Sequence, residues 1–412
     1  MTGRTLAIFA VLAALLGGAL PAGPVQAQSA VPSLPSITAV RVGGDGQKTR
    51  FIMDLSQKID FAAFALADPY RVVLDMPQVA FHLPDKAGEQ ARGLVKAFRY
   101  GLIMQGGSRV VLDTTGPVKV EKAFVLEATA DQPARLVVDL ATTDRSSFMR
   151  ALTLDNGPER RMSAKLPDVP PKAADDPRPL IVLDPGHGGI DQGARAASGE
   201  LEKDVVLQFA TTLRARLEAS GKYRVALTRS DDTFIPLSER VRFGRSHGAS
   251  LFISIHCDSL PKSEGQAEGA TVYTLSENAS DAEAARLAEA ENKADVIAGV
   301  DLTAEPDDVA NILVDLAQRE TKTYSAQFAR SVVGELKSTA RLHKHPLKSA
   351  GFKVLTAPDV PSVLVELGYM STKEDLKLLT NTGWQAKTAA AVTQAVDQFF
   401  APRLARGSAR AN

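Results

Sequence analysis

The sequence predicts a two-domain chain: a small all-β sandwich followed by an α/β domain with a mostly parallel sheet flanked by helices. Two observations carry this. Short β-rich runs at about residues 36–140 repeat with no helical periodicity between them. From residue 179 onward, continuous apolar runs alternate with stretches of helical period, the pattern of a sheet covered on both faces. The length of 412 residues accommodates two to three domains with sizeable cores.

The N-terminus precedes both domains. Arg4 is followed by the apolar run Leu6–Leu16, then small residues and prolines, then Val25-Gln-Ala27. This is the form of a secretory signal peptide over residues 1–27. The mature chain is then expected in the periplasm, without stable membrane insertion after cleavage, because no later segment is apolar enough to span. A formal net charge of +0 gives no global field toward nucleic acid, so no nucleic-acid partner is expected. A single cysteine excludes an internal disulfide framework.

In the first domain, over 36–140, strands are expected at Ile37–Val42, Arg50–Leu55, Arg71–Asp75, Leu94–Tyr100, Arg109–Asp113 and Arg135–Leu140. The segment repeats itself. Arg50-Phe-Ile-Met-Asp54 matches Arg109-Val-Val-Leu-Asp113, and Arg71-Val-Val-Leu-Asp75 matches Arg135-Leu-Val-Val-Asp139. Two copies of one strand pattern suit a sandwich of two similar sheets. The flanking Arg and Asp residues are expected as solvated strand ends.

Residues 141–178, with Pro167, Pro170, Pro171 and Pro177, are expected as a semi-extended linker that leaves the domains independent. In the second domain, over 179–402, strands are expected at Leu180–Leu183, Arg224–Thr228, Leu251–Ile255, Ala270–Leu275, Phe352–Thr356 and Val363–Glu366. Helices are expected at Val205–Leu217, Leu237–Arg245, Tyr324–Leu336 and Trp384–Phe400. A mostly helical insert over 276–319 interrupts this alternation, and 403–412 is expected as a disordered tail.

Four residues carry the chemistry. His187 sits among glycines in Leu183-Asp-Pro-Gly-His-Gly-Gly-Ile-Asp191, His256 ends Leu251-Phe-Ile-Ser-Ile-His, and Glu366 ends Val363-Leu-Val-Glu. All three lie at or just past the carboxyl ends of strands, where active residues of such sheets gather. Glu202, at the start of a helix, is brought near by the short loop from His187. Two imidazoles and a carboxylate suit a catalytic zinc with an open position, and a second carboxylate suits a general base. Asp258 is a possible orienting partner for an imidazole. Cys257, next to His256 in an extended strand, should face away from it. Lys203 should point to solvent. Arg229 and Arg240 are expected to order loops.

These motifs, in this order and spacing, resemble the zinc-dependent N-acetylmuramoyl-L-alanine amidases of the periplasmic cell-division type. The resembling stretches run from Leu183–Ala194 through Glu202-Lys203, Leu227–Arg229 with Asp232, Leu237–Arg240 and Leu251–His256 to Pro361–Ser371. Cys257 stands where alanine is common, and Pro185 where such sequences often have alanine; neither change removes a functional group. The resemblance implies zinc (Zn2+) ligation by His187, Glu202 and His256, with Glu366 catalytic. It implies hydrolysis of the amide between the lactyl group of N-acetylmuramic acid and L-alanine in peptidoglycan, for daughter-cell separation. Residues 36–140 resemble the AMIN-like β-sandwich that targets such enzymes to peptidoglycan and the division septum. Division-type members carry a helical insert that blocks the zinc site until an activator protein displaces it; Ala290-Glu-Asn292 with Asp295 resembles it. Glu291 is then the expected resting-state inhibitory ligand. Two other functions share parts of this logic: a zinc peptidase or carboxypeptidase acting on peptidoglycan peptides, and a non-catalytic wall-binding regulator.

Overall fold

The computed structural model describes residues 34–155 except 68, 85, 90 and 105, then 176, 178–259, 268–299 and 312–408. The expected signal peptide, most of the expected linker and the last four residues lie outside the described residues. Among those described, no helix is long and apolar enough to cross a membrane.

The first domain is built from β1 (Ser36–Gly44), β2 (Lys48–Leu55), β3 (Ala62–Leu66), β4 (Arg71–Pro77), β5 (Ala80–Phe81), β6 (Val95–Met104), β7 (Gly107–Thr114), β8 (Val118–Leu126) and β9 (Ala134–Thr142). They form two sheets, β5-β1-β2-β9-β8 and β3-β4-β7-β6. The internal repeat explains the pairing. β2 and β7 carry one half-pattern, β4 and β9 the other, and each sheet takes one strand from each copy. In the first sheet Arg50 faces Asp139 and Asp54 faces Arg135 across β2 and β9. In the second, Arg71 faces Asp113 and Asp75 faces Arg109 across β4 and β7. The period of two sends Phe51, Met53, Val72, Leu74, Val110, Leu112, Leu136 and Val138 into the sandwich core.

The outward residues of the two sheets fare differently. On the first sheet Arg50 and Asp139 pair at the surface, as expected for strand ends. On the second, Arg71, Asp75 and Arg109 are buried, together with Val73 and Val111. These two valines join a hydrophobic cluster of the second domain that includes Ile190, Phe234, Ala294 and Ala298. The expectation of solvated ends fails there because a second protein layer covers that face.

α1 (Arg145–Asp155) follows, so the expected linker opens with helix rather than extended chain. Asp144 starts it: its carboxylate accepts from Ser147 N at 2.9 Å, a helix-capping contact that the expected Pro-rich character hid.

The second domain comprises β10 (Leu180–Pro185), α2 (Glu202–Ala219), β11 (Arg224–Leu227), α3 (Leu237–Ser246), β12 (Leu251–His256), β13 (Ala270–Leu275), α4 (Ala282–Glu291), α5 (Ala294–Ile297), α6 (Ile312–Leu336), β14 (Leu342–Ala350), β15 (Ser362–Glu366), α7 (Lys373–Leu379) and α8 (Thr382–Ser408). The strand order is β11-β10-β12-β15-β13-β14. All neighbours are parallel except β13 and β15. One face is covered by α2, α6 and α8 through Phe209, Leu213, Phe328, Val332, Val392 and Val396. The other is covered by α3 and α4 through Phe243 and Leu287, packed on Phe252 and Tyr273.

Three boundaries differ from expectation. The last strand before β15 is Leu342–Ala350, and Phe352–Thr356 forms a turn instead. β14 is an edge strand paired only to β13, so it needs apolar residues on one side alone and tolerates its two histidines, two lysines and Pro346. α6 starts at Ile312 rather than Tyr324, which makes the end of the expected insert continuous with a core helix. α8 runs to Ser408 through Pro402, so residues 403–408 are helical where a disordered tail is expected. A proline removes one helical hydrogen bond and does not end every helix.

Candidate active site

β10 and β12 are parallel neighbours, and β12 is paired in register with β15, so that His256 faces Glu366 across the pair. Both close their strands at the carboxyl edge of the sheet. The loop leaving β10 carries His187, and α2 begins at Glu202. The sheet and its loops thus bring all four sequence-predicted residues together, and all four are buried.

The geometry converges on two imidazole nitrogens. His187 Nε2 lies 3.2 Å from Glu202 Oε1, and His256 Nδ1 lies 3.4 Å from the same oxygen. The rings meet edge to face with centroids 4.9 Å apart. Among the described residues, neither His187 Nε2 nor His256 Nδ1 makes a hydrogen bond of good geometry, although both are buried beside the Glu202 carboxylate. Buried polar atoms rarely stay unpaired, so two such nitrogens aimed at a shared carboxylate oxygen fit a divalent cation taking nitrogen and oxygen donors. Ligand atoms of His187, His256 and Glu291 lie within 4.8 Å of one another, and so do those of His187, Glu202 and Asp258.

Close packing holds this arrangement. A Cβ on Gly186 would fall 2.4 Å from the His256 ring, so only glycine lets the β10 exit pass beneath that imidazole. His187 itself has φ 57°, a left-handed backbone uncommon for a non-glycine residue. Arg240 holds it by donating to His187 O at 2.7 Å and to Asp184 Oδ1 at 2.8 Å. Arg229 donates to Gly186 O and Lys203 O, both at 2.7 Å. The two arginines therefore order the loop, as the sequence suggests.

Three details were missed. Asp191 Oδ2 stands 2.9 Å from His187 Nδ1, which fixes the ring and leaves Nε2 facing the site. The signal was present in the four-residue spacing within the glycine-rich loop. Asp258, expected to orient an imidazole, instead gives its backbone N–H to Glu366 Oε2 at 3.1 Å, and its Oδ2 has no hydrogen-bond partner among the described residues. Lys203, expected in solvent, is buried; it donates to Gly189 O at 3.0 Å and to Asp232 Oδ2 at 2.7 Å. Asp232 in turn accepts from Gly189 N at 2.8 Å, so this pair fastens the His187 loop from below. Cys257 packs in the core beneath α2, as its alternation predicts, and its backbone N–H donates to Glu202 Oε1 at 2.8 Å.

The electrostatics follow from burial against local charge. Burial opposes charge on His187, but Glu202, Asp191 and Glu291 outweigh it and raise its pKa well above the usual imidazole range. Burial likewise opposes charge on Glu202, and the two imidazoles hold it well below the carboxylate range. Glu366 is pushed up to about 8, chiefly by burial, with His256 opposing and Glu202 adding to the rise. Its Oε1 is buried without a hydrogen-bond partner among the described residues.

Glu291, the last residue of α4, also reaches the site: its Oε2 lies 3.1 Å from His256 Nδ1 and 3.8 Å from His187 Nε2. A small cavity lies here, walled by His187, Arg240, His256, Glu291, Asn292 and Phe352.

Two family models cover most of the chain. That of N-acetylmuramoyl-L-alanine amidase matches residues 181–398, and that of the AMIN domain matches residues 37–140. The chain is 33% identical over 386 residues to the N-acetylmuramoyl-L-alanine amidase AmiC of Escherichia coli O6:H1, covering 91% of this chain and 92% of that protein. It is 32% identical over 380 residues to AmiC of Neisseria meningitidis serogroup B, covering 89% and 90%. To AmiA of Escherichia coli K12 it is 41% identical over 222 residues, covering 54% and 76%. The chain belongs to the N-acetylmuramoyl-L-alanine amidase family, with an AMIN domain ahead of its catalytic domain.

Proposed function

We propose that this chain is an exported, zinc-dependent amidase that acts on peptidoglycan in the periplasm during daughter-cell separation and is held inactive by its own insert. The observation that carries the zinc assignment is the pair of buried nitrogens, His187 Nε2 and His256 Nδ1, sharing Glu202 Oε1. His187, Glu202 and His256 are the proposed ligands. When bound, zinc supplies a bound water of lowered pKa and polarises the scissile carbonyl.

The chain's own residues do the rest. Asp191 holds the His187 tautomer through Nδ1. Arg229 and Arg240 fix the loop that presents it. Glu366 Oε1 is the proposed proton acceptor, returning the proton to the leaving L-alanine amine. Its Oε1, buried at the carboxyl edge of the sheet beside the proposed ligands, is placed to take and give a proton there. The backbone N–H of Asp258 fixes the second oxygen of Glu366 and leaves Oε1 to react.

Glu291 is the proposed resting-state ligand. Its carboxylate stands beside both imidazoles, where substrate and water must enter, and α4 is anchored on the sheet by Ala284, Leu287 and Ala288. An activator protein would displace it. The AMIN domain is proposed to bind peptidoglycan and direct the enzyme to the septum.

Product analysis tests the reaction. The zinc-loaded full chain carrying Glu291→Ala should release free stem peptides with N-terminal L-alanine from purified peptidoglycan. Peptides cut at internal bonds, with L-alanine still joined to the glycan, would show a peptidase instead.

A further inference from the structure

We infer that the N-terminal β domain has a second role: it clamps the insert in its blocking position. The inference rests on the proposed blocking role of Glu291. Three arginines on the outward face of the second sheet reach the chain just after α4. Arg71 donates to Val296 O at 2.7 Å, and Arg99 to Ile297 O at 3.0 Å. Arg109 donates to Ala298 O at 3.2 Å and to Gly299 O at 2.9 Å. Four consecutive carbonyls are thus held by three guanidinium groups. These are the terminal carbonyls of α5 and the turn beyond it, where a helix end offers few intrahelical partners; Val296 O also accepts from Gly299 N at 3.1 Å.

The clamp is preorganised. Asp113 pairs bidentately with Arg99, and Asp75 with Arg109. Arg109 also lies over the Phe64 ring at 5.8 Å. Little side-chain freedom remains to be lost when these groups meet the carbonyls, which strengthens the contact. Between the arginines, Val73 and Val111 press on Gly299, where φ is +70° and an added Cβ would meet their methyls at 3.1 and 3.0 Å. Ala298 is fully buried in the same seam.

The seam connects directly to the catalytic site. Four residues separate Glu291 from Val296, and both ends of this stretch are fixed. Asn292 donates to Gly351 O and accepts from Lys353 N, each at 2.8 Å. Asp295 accepts from Leu237 N at 2.9 Å. The same β domain also touches the His187 loop, where Ile190 N donates to Leu102 O at 3.2 Å. Withdrawal of Glu291 by movement of α4 and α5 therefore strains or breaks the arginine contacts. A ligand or activator that shifts the β domain would loosen the insert, and removal of the clamp would favour the open state.

The test uses the zinc-loaded full chain and a soluble glycan–peptide fragment, so that anchoring to the wall does not enter the rate. Arg71→Gln with Arg99→Gln should raise activator-free hydrolysis on the order of tenfold, by moving the population toward the open state. Hydrogen exchange should quicken at the amides of residues 292–299 and stay unchanged in β10 and β12. Gly299→Val, which wedges the same seam without altering any charge of the β domain, should do the same. Wild-type rates in both variants, beside an active Glu291→Ala control, would overturn the clamp and leave the blocking role standing. A Glu291→Ala control no faster than wild type would overturn the blocking role and the clamp with it.

Discussion

Glu291 Oε2 stands 3.1 Å from His256 Nδ1, on a helix of the insert, while Glu202 Oε1 approaches the same nitrogen at 3.4 Å from α2. Two carboxylates from separate elements thus address one imidazole. Among the described residues, only Glu202 is also fixed by backbone N–H groups, those of Ala194 and Cys257, each at 2.8 Å. That difference supports the proposal that Glu202 is the permanent ligand and Glu291 the displaceable one.

Glu291→Ala should therefore raise activator-free hydrolysis by about tenfold or more, since a ligand that occupies the open position excludes substrate. Zinc content should stay at one per chain. Dye release from labelled peptidoglycan, with metal analysis alongside, checks both.

Glu366→Gln keeps the shape and removes the proton acceptor. The rate should fall by about 10²–10⁴-fold, the usual worth of general acid–base catalysis, with zinc retained. Measured in the Glu291→Ala background, the loss should appear in kcat rather than KM.

Asp191→Ala frees the His187 ring to rotate. Zinc affinity should weaken by about 10- to 100-fold, as when a partner that orients a metal-bound histidine is lost. A competition titration against a chromophoric chelator reads this directly. Circular dichroism should be unchanged.

Asp184 is buried among Arg240, Thr228 and Ser254. Burial opposes its charge, but Arg240 and the two hydroxyls hold its pKa below the usual carboxylate value. The stability it contributes is therefore fully present above that usual value and is lost as pH falls through the lower folded value. Asp184→Asn should cost about 3–5 kcal/mol at neutral pH, because it leaves the Arg240 charge buried without its partner. The difference from wild type should shrink in strong acid. Urea unfolding at several pH values gives the measurement.

Chelation should abolish hydrolysis and zinc should restore it. The chelated protein should also unfold at lower temperature, since a ligand bound only by the native state stabilises it. Unchanged activity after exhaustive chelation would rule out the zinc proposal.

Much of the site was legible in sequence because its residues sit where local rules place them. His256 and Glu366 terminate short apolar runs of the length and β-branched content of buried strands, and His187 follows a third. The repeat in the first domain likewise announced two similar sheets. What sequence missed were residues whose role depends on a distant neighbour. Lys203 looked solvated because helix periodicity says nothing of Asp232, 29 positions on, which pairs with it. Asp258 reads as an orienting group because it follows His256 by two positions, yet Asp191 orients the other histidine instead.

The sequence by itself determined the two-domain order, the sheet character of each domain, and the residue types of the site. Those follow from hydrophobic period and from short motifs, which are local. Only the tertiary structure decided what the Arg and Asp residues of the repeat do. The same pattern leaves Arg50 and Asp139 in solvent on one sheet and buries Arg109 and Asp75 against the insert on the other. Periodicity tells which face of a strand a residue occupies; what covers that face is set by the packing of domains far apart in sequence.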